Sequence, residues 1–101
     1  MIEVKLSSDK DFYTLEISGH AGYAESNDIV CAGVSAVAFS LLGYILSLSP
    51  EVSGLNYTAE SGYFKLEAGG GDFVKAAFGM AGTGIAQICG SYPQNVKISL
   101  R

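Results

Sequence analysis

The sequence predicts an α+β fold, a two-layer sandwich in which two helices cover one face of a mostly antiparallel sheet. Five short segments alternate apolar and polar residues, which is the pattern of half-buried strands. Residues 29–50 and 76–96 contain no charged residue, which is typical of helices buried on most sides. The predicted order of elements is ββαββαβ, and residues 1–101 are expected to form a single domain.

Composition excludes several classes of protein. The 101 residues are 49% hydrophobic and 16% charged, whereas disordered chains combine low hydrophobicity with high charge. Two cysteines are too few for a disulfide scaffold. Six Lys and Arg residues face ten Asp and Glu residues, with no basic cluster, so binding to a nucleic-acid backbone is not expected.

The first half of the chain predicts a hairpin followed by a helix. Ile2–Leu6 and Phe12–Ser18 are the predicted strands, joined by a polar turn at Ser7–Asp11. A helix is predicted over Asp28–Leu48, because Asn27 or Asp28 can cap its first turn and Pro50 closes it. Its main buried stripe comprises Val30, Val34, Val37, Leu41 and Ile45. The opposite, uncharged face is expected to be covered as well and includes Ser35, Phe39 and Leu42.

The second half predicts another hairpin, formed by Val52–Thr58 and Gly62–Ala68 around a turn at Ala59–Ser61. Three glycines at 69–71 then provide a flexible joint. Asp72 is the predicted cap of a helix over 73–91, and Val96–Leu100 is the predicted last strand.

Glycines 79, 82 and 84 inside the second helix predict either a close approach of backbones or an irregular segment. The apolar surface of the two helices exceeds what one sheet can cover. A homodimer is therefore expected.

The uncharged stretches also raise the alternative of a membrane hairpin, since each is about 20 residues long. Both are rich in Ala, Gly and Ser, and no Lys or Arg cluster flanks either, so no membrane association is expected. The N-terminus alternates apolar and polar residues and lacks the apolar stretch of a secretion signal. A cytoplasmic location with reduced thiols is therefore expected.

Cys31 falls in the first turn of the predicted helix, and His20, the single histidine, ends the preceding strand. Free amides at a helix start favour an anion such as a thiolate, and a nearby imidazole can take the proton. The amides of Cys31 and Ala32 are candidates to bind an oxyanion. The alternative is that Cys31 is a structural, buried cysteine, and Cys89 is expected only to pack in the core.

Two further residues have two interpretations each. Asp28 either orients His20 or caps the helix. Ser35, one turn after Cys31, either contacts the substrate or the sulfur or bonds a carbonyl one turn back. One histidine and two distant cysteines do not make a metal site, and no cofactor is expected.

Two segments carry a resemblance. Residues 19–24, GHAGYA, and residues 28–35, DIVCAGVS, resemble the Prp family of bacterial ribosomal-processing cysteine proteases. The resemblance implies a small homodimeric α+β endopeptidase that removes a short N-terminal extension from a large-subunit ribosomal protein. It assigns the catalytic roles to His20 and Cys31, and supporting roles to Asp28 and Ser35, with a mobile loop between the two segments.

The chain departs from the family pattern in two places. The loop between His20 and Cys31 is about one residue shorter than usual, with Ser26 and Asn27 in place of a glycine. Asn27 tolerates the left-handed conformation that glycine supplies, so the turn is expected to survive. Gly33 replaces a common alanine. The alternative function is a non-catalytic peptide-binding module of ribosome assembly.

Overall fold

A computed structural model describes residues 1–101. The five strands are β1 (Ile2–Asp9), β2 (Phe12–Ser18), β3 (Ser53–Glu60), β4 (Tyr63–Gly69) and β5 (Val96–Leu100), and the two helices are α1 (Ile29–Ser47) and α2 (Asp72–Ser91). The sheet order is β3-β4-β2-β1-β5, with every pairing antiparallel except the parallel pairing of β1 with β5. The predicted fold class and order of elements are confirmed.

The core lies between the sheet and the helices, because alternate strand residues point toward one face. In β2, Tyr13, Leu15 and Ile17 are buried, as the period-two pattern predicts. Leu15 and Leu66 face each other across β2 and β4 and are fully buried, as is Ile85 of α2.

β1 is longer than predicted, and the turns of both hairpins are shifted. Polar residues 7–9 continue β1 rather than forming the turn, since they pair with Thr14, Tyr13 and Phe12. Backbone hydrogen bonds to a partner strand hold such residues extended whatever their side chains. The turn itself is Lys10–Asp11, with Lys10 at a φ of 58°. The second hairpin turns at Ser61–Gly62, later than predicted, because Gly62 supplies the positive φ of 75°.

Both helices differ in detail from the predictions. In α1, Ala38 and Leu42 are buried while Val37 is only half-buried, because Val37 faces α2 beside Gly84. Of the face predicted to be covered, Leu42 is buried but Ser35 and Phe39 are exposed in the single chain, so the prediction is confirmed only at Leu42. In α2, Gly71 rather than Asp72 is the N-cap, and Asp72 begins the helix without a side-chain cap bond. The first helical bond is Lys75 N–H to the Gly71 carbonyl, which sets the start there.

The glycines of α2 allow close packing within a continuous helix. A Cβ at Gly82 would lie 2.6 Å from the Leu6 side chain of β1. By length and composition, α1 alone would suffice to cross a membrane. However, six of its side chains are buried in the fold.

Candidate active site

His20 lies close after β2 and directly follows a backbone bend at Gly19, a position that only glycine fits. Gly19 has a φ of 92°, and a Cβ there would lie 2.4 Å from the Met1 carbonyl oxygen. The Gly19 amide donates to the Gly62 carbonyl at 2.9 Å, which joins this bend to the β3–β4 turn. A Cβ at Gly62 would lie 3.0 Å from His20 Nε2. The exposed imidazole therefore rests on the bare backbone of the second hairpin turn.

Asp28 fixes the start of α1. Its Oδ1 accepts from the amides of Val30 and Cys31, both at 3.0 Å, so it is the N-cap. Its Oδ2 accepts from the amides of Tyr23 at 3.0 Å and Ala24 at 3.3 Å. The amide of Cys31 is the main cause that lowers the pKa of Asp28. One carboxylate thus ties the loop to the helix, and it forms no ion pair with His20.

Cys31 lies in the first turn of α1, half-buried, and its Sγ accepts a hydrogen bond from the Ala21 amide at 3.2 Å. Ala21 is 2% exposed and directly follows His20. The amide dipole and the positive end of α1 both favour negative charge on this sulfur. This donor comes from the loop and not from the helix.

The two amides expected to bind an oxyanion are already engaged. The Cys31 amide donates to the Asp28 side chain, and the Ala32 amide donates to the Asp28 carbonyl at 3.0 Å. In this conformation neither is free, because a capped helix start satisfies its own first amides. The expected role of Ala32 and of the Cys31 amide therefore has no support in this geometry.

His20 and Cys31 face one cleft of about 390 Å³, which Ser35 also lines. No hydrogen bond joins the imidazole to the sulfur, whose partner is Ala21. Ser35 bonds neither the sulfur nor a carbonyl one turn back, unlike Ser40, which bonds the Ala36 carbonyl at 2.7 Å. The hydroxyl of Ser35 is therefore available to a molecule in the cleft.

The cleft has an apolar wall and a polar rim. Phe39 of α1 meets Phe64 of β4 edge to face, with ring centroids 5.7 Å apart, and both line the cleft. Tyr63 at the rim donates to Glu16 at 2.6 Å, and this bond to a carboxylate raises the pKa of Tyr63. A mostly apolar peptide segment fits such a lining.

The other candidate residues lie outside this cleft. Cys89 is half-buried, and its Sγ lies 3.1 Å from the Val96 carbonyl, in keeping with a packing role. No three His, Cys, Asp or Glu side chains come together as a metal site. A larger groove of about 520 Å³ lies between α1 and α2 and contains neither His20 nor Cys31.

Three residues of the site region escaped the sequence analysis. Gly62 supports the imidazole, Asn95 donates to the Ala21 carbonyl at 3.0 Å, and Tyr92 meets Tyr23 edge to face at 5.4 Å. Asn95 and Ala21 are 74 positions apart. No local pattern signals such contacts, because they depend on the pairing of distant strands.

Comparison with known proteins identifies the family. The family model described as Cysteine protease Prp matches residues 1–97. The Ribosomal processing cysteine protease Prp of Bacillus subtilis (strain 168) is 37% identical over 65 residues, which are 63% of this chain and 58% of that protein. The protein of the same name from Staphylococcus aureus (strain Mu50 / ATCC 700699) is 31% identical over 68 residues, 66% of this chain and 64% of that protein. The matched segments span less than two thirds of the length of either relative.

A solved structure agrees over the whole chain. The crystal structure of the ribosomal processing protease Prp from S. aureus, in complex with a covalently linked product peptide, has a TM-score of 0.85 and 27% sequence identity. The alignment covers 100% of both chains. The resemblance predicted from residues 19–24 and 28–35 is confirmed: this chain belongs to the cysteine protease Prp family.

Proposed function

We propose that this chain is a cysteine endopeptidase in which Cys31 is the nucleophile and His20 is the general base and acid. The observation that carries the proposal is the meeting of both side chains in one cleft, with the sulfur at a capped helix start. Family membership supports the same reaction class.

The reaction needs one proton carrier and one nucleophile. Cys31 Sγ attacks the carbonyl carbon of the scissile peptide as its proton passes to the imidazole of His20. The tetrahedral intermediate collapses, the peptide C–N bond breaks, and His20 returns the proton to the leaving amine. Water, deprotonated by His20, then hydrolyses the thioester and frees the thiol.

The free conformation requires a small adjustment before the chemistry. The imidazole rests on Gly62 and makes no bond to the sulfur, and such catalytic contacts commonly tighten only when substrate binds. His20 is exposed, so its ring is free to turn within the cleft. Asp28 supports the site by holding the loop, and Ser35 supports it by offering a hydroxyl to the bound peptide.

We further propose that the substrate is the N-terminal extension of a large-subunit ribosomal protein. The names of the relatives refer to ribosomal processing, and the S. aureus protein was crystallised with a product peptide. The aromatic wall formed by Phe39 and Phe64 suits an extension that is apolar before the cut.

The experiment uses a synthetic peptide that spans this extension, as encoded in the same genome. Wild type is expected to cut it once, while Cys31→Ala and His20→Ala lose about a thousandfold or more in kcat/KM. Cys89→Ser is the matched control and retains activity, since its sulfur lies outside the cleft. Undiminished cutting by Cys31→Ala would refute the assignment. Tight binding without turnover by wild type would support the non-catalytic peptide-binding module instead.

We also propose that the working form is a cytoplasmic homodimer. The groove between α1 and α2 is lined by apolar and small residues and by no charged one, and Phe73 and Met80 beside it are 72% and 77% exposed. A two-fold dimer would place the same apolar surface of a second copy against this face. Both cysteines are free thiols, which fits a reducing compartment.

A further inference from the structure

The connection between α2 and β5 contacts the loop that joins His20 to the helix of Cys31. Asn95 Nδ2 donates to the Ala21 carbonyl at 3.0 Å, and the Ala21 amide donates to Cys31 Sγ at 3.2 Å. Both backbone groups of one buried residue are therefore engaged, one by Asn95 and the other by the sulfur. The hydrogen bond from Asn95 therefore anchors the residue whose amide donates to the sulfur.

Asn95 is itself held firmly. Its amide donates to the Tyr92 carbonyl at 2.9 Å, and its carbonyl accepts from the Ile2 amide at 2.8 Å. The next residue, Val96, is 1% exposed and begins β5. Because the backbone of Asn95 is fixed on both sides, its side chain is a rigid support for the loop.

A second contact from the same connection acts on the same loop. The ring of Tyr92 meets the ring of Tyr23 edge to face, with centroids 5.4 Å apart. The Tyr23 amide donates to Asp28, which caps α1. The connection therefore contacts the loop beside His20 and again at the segment that Asp28 ties to the helix.

We propose that Asn95 is a positioning residue for the sulfur of Cys31, and that it acts through Ala21. It lies outside the lining of the cleft that holds His20 and Cys31. Its amide group donates to a carbonyl that is buried with Ala21. An aspartate at this position keeps the shape but places a carboxylate oxygen against that carbonyl, which repels it.

The test is the rate at which iodoacetamide alkylates Cys31. It is measured in a Cys89→Ser background, in which Cys31 is the one remaining thiol. Asn95→Asp is expected to slow alkylation about threefold to tenfold, the equivalent of one lost hydrogen bond. Asn56→Asp, the same change on exposed β3, is the matched control and is expected to change the rate less than twofold. Equal rates for Asn95→Asp and wild type would overturn the proposal.

Asn95→Ala is a second variant for the case that Asn95→Asp fails to fold. Alanine removes the hydrogen bond to the Ala21 carbonyl but adds no carboxylate that repels this carbonyl. We expect it to retain the circular dichroism spectrum of wild type and to slow alkylation by a smaller factor than Asn95→Asp. Hydrogen exchange gives a second readout, in which the Ala21 amide exchanges faster in both variants while amides of α2 do not. Unchanged exchange at Ala21 would contradict the positioning role.

The catalytic consequence rests on the proposed function. In peptide cleavage, Asn95→Asp is expected to lower kcat with KM nearly unchanged, because the sulfur moves and the cleft walls do not. Alkylation of Cys31 needs no peptidase activity. The experiments therefore test the proposed function and the positioning role of Asn95 independently. If wild type cuts no peptide while Asn95→Asp slows alkylation, the proposed function falls and the role of Asn95 remains.

Discussion

At the scale of single residues, Asp28 is the side chain on which the site depends most. It accepts four backbone amides, two from the loop and two from the first turn of α1. The cap was predictable from sequence, because an aspartate two and three residues before the free amides is a local signal. Its contacts with Tyr23 and Ala24 depend on how the loop folds back and were not predictable.

This network predicts a particular dependence of stability on pH. The amides favour the carboxylate, so the folded pKa of Asp28 lies below its ordinary value of 3.8 and the unfolded chain binds more protons. The charge of Asp28 contributes fully to the free energy of unfolding above about pH 3.8. This contribution is lost as the pH falls through the lower pKa that Asp28 has in the folded protein. Unfolding midpoints of wild type and Asp28→Asn, measured by circular dichroism from pH 2 to 7, are expected to converge at the acid end.

Asp9→Asn is the control for this measurement, since it removes the same charge from an exposed strand end. Its curve is expected to run parallel to that of wild type. If Asp28→Asn also runs parallel, the four hydrogen bonds contribute nothing that depends on the charge.

Asn27, which directly precedes Asp28, has the backbone conformation that its residue type predicts. It occupies the left-handed region at a φ of 54°, as predicted for this position from the sequence. Asparagine tolerates this conformation better than most residues, so the loop turns into α1 without a glycine. The cap at Asp28, which follows directly, is intact.

At the scale of elements, the glycines of α2 differ in how much space surrounds them. A Cβ at Gly79 meets nothing within 4 Å, whereas a Cβ at Gly82 would lie 2.6 Å from the end of the Leu6 side chain. The sequence predicted close approach somewhere among these glycines but not which one makes it. The position depends on the register of α2 over β1, which only packing fixes.

These two glycines form a matched pair for measurement. Gly79→Ala is expected to raise the free energy of unfolding by about 1 kcal/mol, because alanine favours an exposed helix. Gly82→Ala is expected to stabilise the protein less than Gly79→Ala does, since the end of the Leu6 side chain must move to admit the new methyl group. Urea denaturation of both variants measures the difference. Equal stabilisation by the two substitutions would show that α2 does not press on β1 at Gly82.

The limits of sequence reasoning are clearest at strand ends and on helix faces. Residues 7–9 looked like a turn because they are polar, yet they pair along β2. Phe39 looked covered because its face has no charge, yet it is 54% exposed and forms a wall of the cleft. In both cases the partner element, and not the segment itself, decides the outcome.

At the scale of the whole molecule, the helix layer has an uncovered apolar face. The groove between α1 and α2 contains Tyr44, Phe73 and Met80, all exposed. Exposed apolar patches of this kind mark interaction surfaces. The sequence predicted a dimer from the excess of apolar helix surface, and we propose that this groove is the face at which two copies meet.

Met80→Lys tests this face. A lysine in the groove would bury a charge between two copies. The dissociation constant of the dimer is therefore expected to rise about tenfold or more. Gln87→Lys places the same charge elsewhere on α2, outside the groove, and is expected to leave the association unchanged. Sedimentation equilibrium measures both. A monomeric wild type at micromolar concentration would refute the proposed dimer.

The parallel pairing of β5 with β1 has a consequence for biosynthesis. The segment that supports Ala21 immediately precedes β5, and β5 forms hydrogen bonds with the strand at the opposite end of the sequence. A nascent polypeptide exposes His20 and Cys31 long before residues 92–100 leave the ribosomal tunnel. Until those residues emerge, β1 has an unpaired edge and the Ala21 carbonyl lacks its partner Asn95. The support that Asn95 gives to Ala21 is therefore in place only after residues 92–100 have been translated.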